Sequence, residues 1–429
     1  MNKKASLRFS ILRGFVAIMI ALLVATVLVF ISAEGDGFGE KLSSTGDAMV
    51  HMLIRPLFGR SGFATKNFTD ILAAMIPITF TSLAACVMFA ANQFNLGAEG
   101  GIMLGAFMAS IIAVYVPMPS GLHAIVAVLV AALSVGAMMI IPAVLKARLG
   151  VSEMVCSLML NYVVMYIINY LMNTSLSDKS KGQVMSYDFQ ETSAIPQLVD
   201  NGSKLSWGFI VAMICVVLTA LFMYRTRWGY AIRMVGINKD FSKYSGLNVM
   251  GVIILSQIIG GLLAGMGGGI ELLGRYTNYQ WKALPGYGWD GITVACIAGN
   301  NPILVPFAAF FIAFLDKGCN LMATYCNIPA QLIDIIEGVI FIFFAAEHFL
   351  SKYRQKLVVR SSLKEVAEQA AASEALKQTE QAVQEVETTG DGTAQEAETQ
   401  DAGGEDAPQM NEPPAEGGDN TEGKESDEQ

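Results

Sequence analysis

The residues of this chain that can do chemistry are the ionisable and amide side chains set inside long apolar runs, since each costs free energy in hydrocarbon unless it meets a partner or water. Glu99 stands in Asn95-Leu-Gly-Ala-Glu99-Gly-Gly-Ile-Met-Leu-Gly105, where Gly97, Gly101 and Gly105 recur every four residues. Such a ridge lets a neighbouring backbone approach closely. At 3.6 residues per turn the carboxylate falls about 200° away from it. Glu99 therefore faces a partner or wet cavity, or it stabilises the start of its own helix at the cytoplasmic edge. Gly261, Gly265 and Gly269 repeat the device before Glu271, whose facing the dense glycines leave open. Helix packing is the reading adopted for both glycine sets.

Glu153, Ser157 and Asn161 fall at i, i+4 and i+8 of an otherwise apolar helix, with Tyr162, Tyr166 and Asn169 on the adjacent strip. Lipid does not tolerate that stripe, so it faces the bundle interior, gluing helices or lining a pathway. In Gly286-Tyr-Gly-Trp289-Asp290-Gly-Ile, followed by Asn300-Asn301-Pro302, the apolar piece between is too short to cross a bilayer. Pro302 suits the first turn of a new helix and Asn301 its cap. A helix, break, helix element of this kind points free helix ends at substrates in transporters. Asp290 is either a functional acid there or a group at the outer water boundary.

Other chemistries find no residues. No GxxxxGK[ST] loop occurs, so the chain has no phosphate cradle of its own. Neither a catalytic set nor a metal-ligand set is assigned. Cys86, Cys156, Cys215, Cys296, Cys319 and Cys326 form no CxxC pair and read as small hydrophobes; only Cys319 and Cys326, in an expected loop, are able to pair.

The elements that must position these residues are membrane helices. The 429 residues are 53% hydrophobic and 15% charged, whereas soluble domains carry about 25% charge. An ordinary soluble enzyme is excluded. Charge is also segregated: residues 361–429 hold 19 of the 37 acidic but 3 of the 28 basic residues, so the tail carries −16 and the body +7. We expect an all-α, polytopic membrane domain over 1–360 and an acidic, mostly disordered cytoplasmic tail over 361–429.

About ten transmembrane or re-entrant helices are expected, at about 14–32, 71–91, 96–116, 122–145, 152–172, 207–224, 249–274, 291–299, 303–315 and 331–350. Residues 33–69 and 173–206 read as external loops. Basic clusters at Lys3, Lys4, Arg8 and Arg13, at Lys146 and Arg148, at 225–243, and at Lys352–Arg360 all fall inside on this count, with both termini cytoplasmic. The glycine-punctuated loop at about 225–248 carries Trp228, Ile232, Met234 and Tyr244, large groups suited to docking, beside the simpler reading of inside positive charge. A short helix is expected at 238–245, ended by Gly246.

The blocks FNLGAEGGIMLGA (94–106), GVSEMVCSLMLNY (150–162), RWGYAIRMVGINKDFSKYSGLNV (227–249), GGLLAGMGGGIELLG (260–274) and GYGWDGITVACIAGNNPI (286–303) resemble permease subunits of ATP-binding-cassette importers of the branched-chain amino acid, ribose and simple-sugar superfamily. Within it the likeness is to nucleoside-uptake permeases. Gly101, the second glycine after Glu99, stands where a polar residue such as Gln is common, and the acidic tail is unusually long. The resemblance implies a non-enzymatic transport subunit in a bacterial cell membrane. Its partners would be a second permease, alike or related, a cytoplasmic ATPase holding ATP and Mg, and an extracytoplasmic substrate-binding lipoprotein, with no nucleic acid and no cofactor of its own.

On that resemblance the candidate pathway residues are Asn95, Glu99, Ser157, Asn161, Glu271, Trp289 and Asp290. The loop implied to seat on the ATPase offers Trp228, Gly229, Arg233, Gly236, Asn238, Ser242 and Gly246. Tyr276, Tyr279, Trp281, Tyr287 and Trp289 can stack on a nucleobase or belong to an interfacial aromatic belt. Simple sugars or branched-chain amino acids are the alternative solutes. A proton-coupled secondary transporter using Glu99, Glu271 or Asp290, and an anchor displaying the tail, are the alternatives of other classes.

Overall fold

The computed structural model describes residues 19–20, 22–32, 37–59, 62–199 and 201–326, together with 331, 334–336, 338–339 and 342. The N-terminal basic cluster, most of the expected 331–350 span and the acidic tail lie outside the described residues. In chain order the helices are α1 (Leu22–Ser32), α2 (Phe38–Leu53), α3 (Thr65–Ala90), α4 (Ala98–Tyr115), α5 (Leu122–Leu149) and α6 (Glu153–Leu171). There follow α7 (Gly208–Arg225), α8 (Arg227–Ile237), α9 (Lys239–Tyr244), α10 (Val249–Arg275), α11 (Tyr287–Ile297) and α12 (Val305–Cys326). Among the described residues seven helices, α3 to α7, α10 and α12, are long and apolar enough to cross a membrane. The chain is a multi-pass, all-α membrane protein.

Glycine decides how the centre packs. In lipid, apolar surface gives helices no preference for one another, so small residues and close backbone contact must hold them. Helix α10 lies against α3, α4 and α5. A Cβ on Gly105 would lie 2.8 Å from the Cα of Gly265, and one on Gly265 would lie 2.9 Å from the Cα of Ala132. Gly101 and Gly261 meet Val135 in the same way, Gly97 meets Met139, and Gly269 meets Ala131. Two periodic ridges thus close on α5 and on each other.

Contacts between segments define the ends of the bundle. At one end Asn201 donates to the Thr69 hydroxyl at 2.9 Å, Lys204 to the Arg275 carbonyl at 3.3 Å, and Lys317 pairs with Asp70 at 2.8 Å. The mostly irregular residues 177–199 and 201–206 lie at this end. There Lys181 and Asn278 hold the exposed Asp188 carboxyl below the usual carboxylate range. At the opposite end Lys146 pairs with Glu153 at 2.7 Å, and α8 meets the last turn of α3.

Three expectations are corrected. The stretch 33–69 is not simply a loop: α2 and the hairpin β1 (Phe58–Gly59) with β2 (Gly62–Phe63) occupy it. Its alternation of Ala48 and Met52 with polar groups is amphipathic, and those two side chains bury against Leu315, Cys319 and Met322 of α12. The span expected at 303–315 continues to Cys326, because Asp316 and Lys317 are accommodated on the helix by Asn320 and Asp70. Cys319 and Cys326 accordingly stand on one helix, with no disulfide between them. Seven residues apart, about 10 Å of helical rise separates them, beyond disulfide reach.

Candidate functional site

Two helices begin inside the bundle, and what brings the chain there is two extended segments. Between α3 and α4 the backbone is non-helical over 91–97, with Gln93, Asn95 and Leu96 buried. Non-helical backbone at membrane depth needs its polar groups satisfied by protein. The polar stripe of α6 does this. Glu153 accepts from the Phe94 N–H at 3.2 Å and Ser157 from the Leu96 N–H at 3.0 Å. Asn161 accepts from Gly100 at 2.9 Å and donates to the Leu96 carbonyl at 2.9 Å. The spacing has a simple cause: four helical residues rise about 6 Å, the length of about two extended residues, so i, i+4 on α6 reads i, i+2 on the break. Asn95 closes the segment, accepting from Gly97 at 2.6 Å and donating to Gln257 of α10.

The second segment, 276–286, leads to α11. Eleven residues rise only about 16 Å, half a bilayer, so α11 starts within the bundle. Gly286 takes φ +91°, a left-handed conformation that L side chains resist, and turns the chain into the helix. Glu99 receives that helix start. Its carboxylate accepts from the Gly286 N–H at 2.6 Å and the Gly288 N–H at 2.5 Å, while being only 1% exposed. A negative group at a helix N-terminus satisfies orphan donors and meets the positive end of the helix dipole. Of the two sequence readings of Glu99, the one in which it faces a partner is what occurs: the partner is the start of α11, and the carboxylate stabilises that helix rather than its own α4. Gly288 and Gly291 permit the approach, since a Cβ on either would enter Glu99 or Thr81. The Thr81 hydroxyl donates to the Tyr287 carbonyl at 2.8 Å, tying α11 to α3 as well.

Glu271 is also engaged. On α10 it accepts from Arg275 at 3.2 Å, one turn on, and from the Tyr287 hydroxyl at 3.3 Å. Of the aromatic set, Tyr279 is fully buried, and Trp281 packs among Tyr276, Tyr279 and Tyr287 with centroids 5.9, 6.1 and 6.2 Å away. That cluster is internal packing. Trp289 is 44% exposed instead and, with Phe94, borders a cavity of about 550 Å³. Leu96, Asp290, Ile292, Thr293 and Asp334 are among the other residues of its wall. The cavity lies where the break of α3–α4 meets the start of α11. It brings Trp289 and Asp290 together. Asn95, Glu99, Ser157 and Asn161 lie behind its wall, holding the backbone that forms it, and Glu271 is bonded to Tyr287 beside it. Phe94 was not singled out from sequence; its position within a polar break was the available signal.

A second surface is built on α8 and α9. Thr226 caps α8 by accepting from Gly229 at 3.1 Å, and Asn238 caps α9 by accepting from Phe241 at 2.9 Å. Ser242 is buried, donating to the Asn238 carbonyl at 2.8 Å, and Gly246 ends the unit with φ +79°. Gly229 abuts the Phe222 carbonyl and Gly236 the Ala90 carbonyl, so α8 lies flat against the ends of α7 and α3. The expectation for Ile232 is corrected, since it is fully buried, and Met234 is half-buried. Helical phase turns them inward. The outward groups are Trp228, Tyr230, Ile237, Phe241 and Tyr244, the last 92% exposed.

Residues 67–345 match the family described as branched-chain amino acid transport system / permease component. The chain is similar to the glucose ABC transporter permease protein TsgB13 of Haloferax volcanii, 28% identical over 77% of this chain and 88% of that one. It is similar to the guanosine ABC transporter permease protein NupP of Bacillus subtilis, 27% identical over 80% and 95%. The nucleoside ABC transporter permease protein NupB of Lactococcus lactis is 30% identical over 67% and 81%.

Proposed function

The chain belongs to the family of branched-chain amino acid transport system permease components, and from that premise we propose that it is the membrane subunit of an ATP-binding-cassette importer for nucleosides. It works with a second permease, with a cytoplasmic ATPase that binds ATP and magnesium, and with an extracytoplasmic substrate-binding lipoprotein. ATP hydrolysis belongs to the partner chain.

The observation that carries this reading is the cavity at the meeting of the break and α11. Trp289 and Phe94 offer aromatic faces to a base, and Asp290 and Thr293 offer polar groups to sugar hydroxyls. The guanosine and nucleoside permeases among the relatives support the same solute class. The glucose permease makes a sugar the alternative outcome.

The end bearing Lys146, Arg148 and the basic residues of 225–243 faces the cytoplasm of a bacterial cell, following the bias of positive charge to the inside. Trp228, Gly229, Arg233, Gly236, Asn238, Ser242 and Gly246 then build the surface that sits on the ATPase. Solute passes as the two permeases open alternately to each side. Purification in mild detergent with identification of co-eluting chains tests the assembly: an ABC ATPase and a second permease are expected, and a lone chain contradicts it. Uptake of labelled guanosine unchanged by deleting the gene contradicts the solute.

A further inference from the structure

We propose that Glu99 is the latch of a closed ring of contacts that carries movement of α8 and α9 to the cavity, a positioning residue that makes solute passage follow the state of the cytoplasmic helices. This rests on the assignment of α8–α9 to the ATPase and deepens it.

The ring starts on α8. Gly236 is so close to the Ala90 carbonyl that no side chain fits between α8 and the last turn of α3. From Ala90 the chain enters the break, whose backbone is tied to α6 at Phe94, Leu96 and Gly100. It leaves the break into α4, where Glu99 binds Gly286 and Gly288 at the start of α11. Beyond the end of α11, Asn301 accepts from the Tyr224 hydroxyl at 3.2 Å. The Arg233 guanidinium stands 5.3 Å from the centre of the Tyr224 ring, and Arg233 is on α8 again, three residues from Gly236. Helix α8 therefore holds the entry of the break directly and the exit of α11 through Tyr224 of α7, and Glu99 joins the two at the cavity.

The character of the joint matters. Helix α11 is also tied to α3 by the neutral Thr81–Tyr287 hydrogen bond, but a carboxylate on two backbone donors at a helix start is charge-assisted and holds position more strongly. Glutamine has the same shape but one acceptor oxygen. Its amide nitrogen would face an N–H, so Glu99→Gln opens the latch without changing volume.

The test uses the complex of this chain with its ATPase and second permease in proteoliposomes, with labelled guanosine, and reads solute moved per ATP hydrolysed. In the Glu99→Gln complex hydrolysis continues while guanosine per ATP falls about tenfold, the scale of one lost charged hydrogen bond. Tyr224→Phe, which keeps the ring under Arg233 and removes the hydroxyl, lowers the ratio in the same direction. The double variant falls no further than Glu99→Gln, because a ring opened once is already open. Transport and hydrolysis falling by one factor, or losses that multiply in the double variant, overturn the latch. Should Glu99→Gln fail to assemble, an unchanged ratio in Tyr224→Phe overturns it alone. A wild-type complex that moves no guanosine contradicts the proposed function itself; a transporting wild type beside an unchanged Glu99→Gln ratio contradicts only the latch.

Discussion

Glu99 and Gly288 are 189 residues apart in sequence and 2.5 Å apart in space, the carboxylate of one helix start accepting the N–H of another. The contact needs a residue without a side chain at 288. A Cβ there would lie 2.5 Å from the Glu99 Cα. Gly288→Ala should lower the midpoint of thermal unfolding in detergent, at a cost of about 1–3 kcal/mol for an overpacked site. Gly39→Ala, on an exposed turn of α2 with open space around it, should leave the midpoint unchanged or raise it. Equal behaviour of the two would mean that the α4–α11 approach is looser than described.

Asn161 satisfies two backbone groups of the break at once. Asn161→Leu should orphan the Gly100 N–H and the Leu96 carbonyl, costing about 1–3 kcal/mol for each buried group left unpaired. Amide hydrogen exchange is the direct readout, with faster exchange at 94–101 and little change on α7. Unaltered exchange across the break would show that α6 does not hold it.

The stripe Glu153, Ser157, Asn161 shows how far sequence reasoning reached and where it stopped. Its spacing on an apolar helix revealed that it faces protein. Its target stayed hidden because the partner is main chain, whose N–H and C=O groups are the same at every residue. Glu99 was visible for the same reason, and its use was missed because a cap on a helix 187 residues away leaves no local pattern. The glycine ridges were legible because helix approach demands a missing Cβ at a fixed period. The helical form of α2 was not, since a short amphipathic run with charges resembles a loop until α12 is there to receive Ala48 and Met52.

Tyr244 is nearly fully exposed at the tip of α9. Tyr244→Ala should move the stability of the isolated permease by no more than about 0.5 kcal/mol, as for other surface changes. The same variant should reduce recovery of the ATPase on co-purification. Full recovery together with Phe241→Ala would place the docking surface elsewhere.

Trp289 presents its ring to the cavity with 44% of its surface exposed. Trp289→Ala should raise the KM for guanosine uptake several-fold, since an aromatic stacking pair contributes about 0.5–1.5 kcal/mol beyond burial. Trp289→Phe should restore most of the loss. Substitution of Trp281, enclosed by three tyrosines, should act through stability and leave the KM of the surviving protein unchanged.

The central claim is that this chain is a gate driven by a motor on another polypeptide. Proteoliposomes containing it alone, given labelled guanosine with either internal ATP or an imposed proton gradient, test that claim most directly. The account predicts no accumulation under either condition, and ATP-dependent accumulation once the ATPase, second permease and binding protein are added. Concentrative uptake by the single chain on a proton gradient would contradict it.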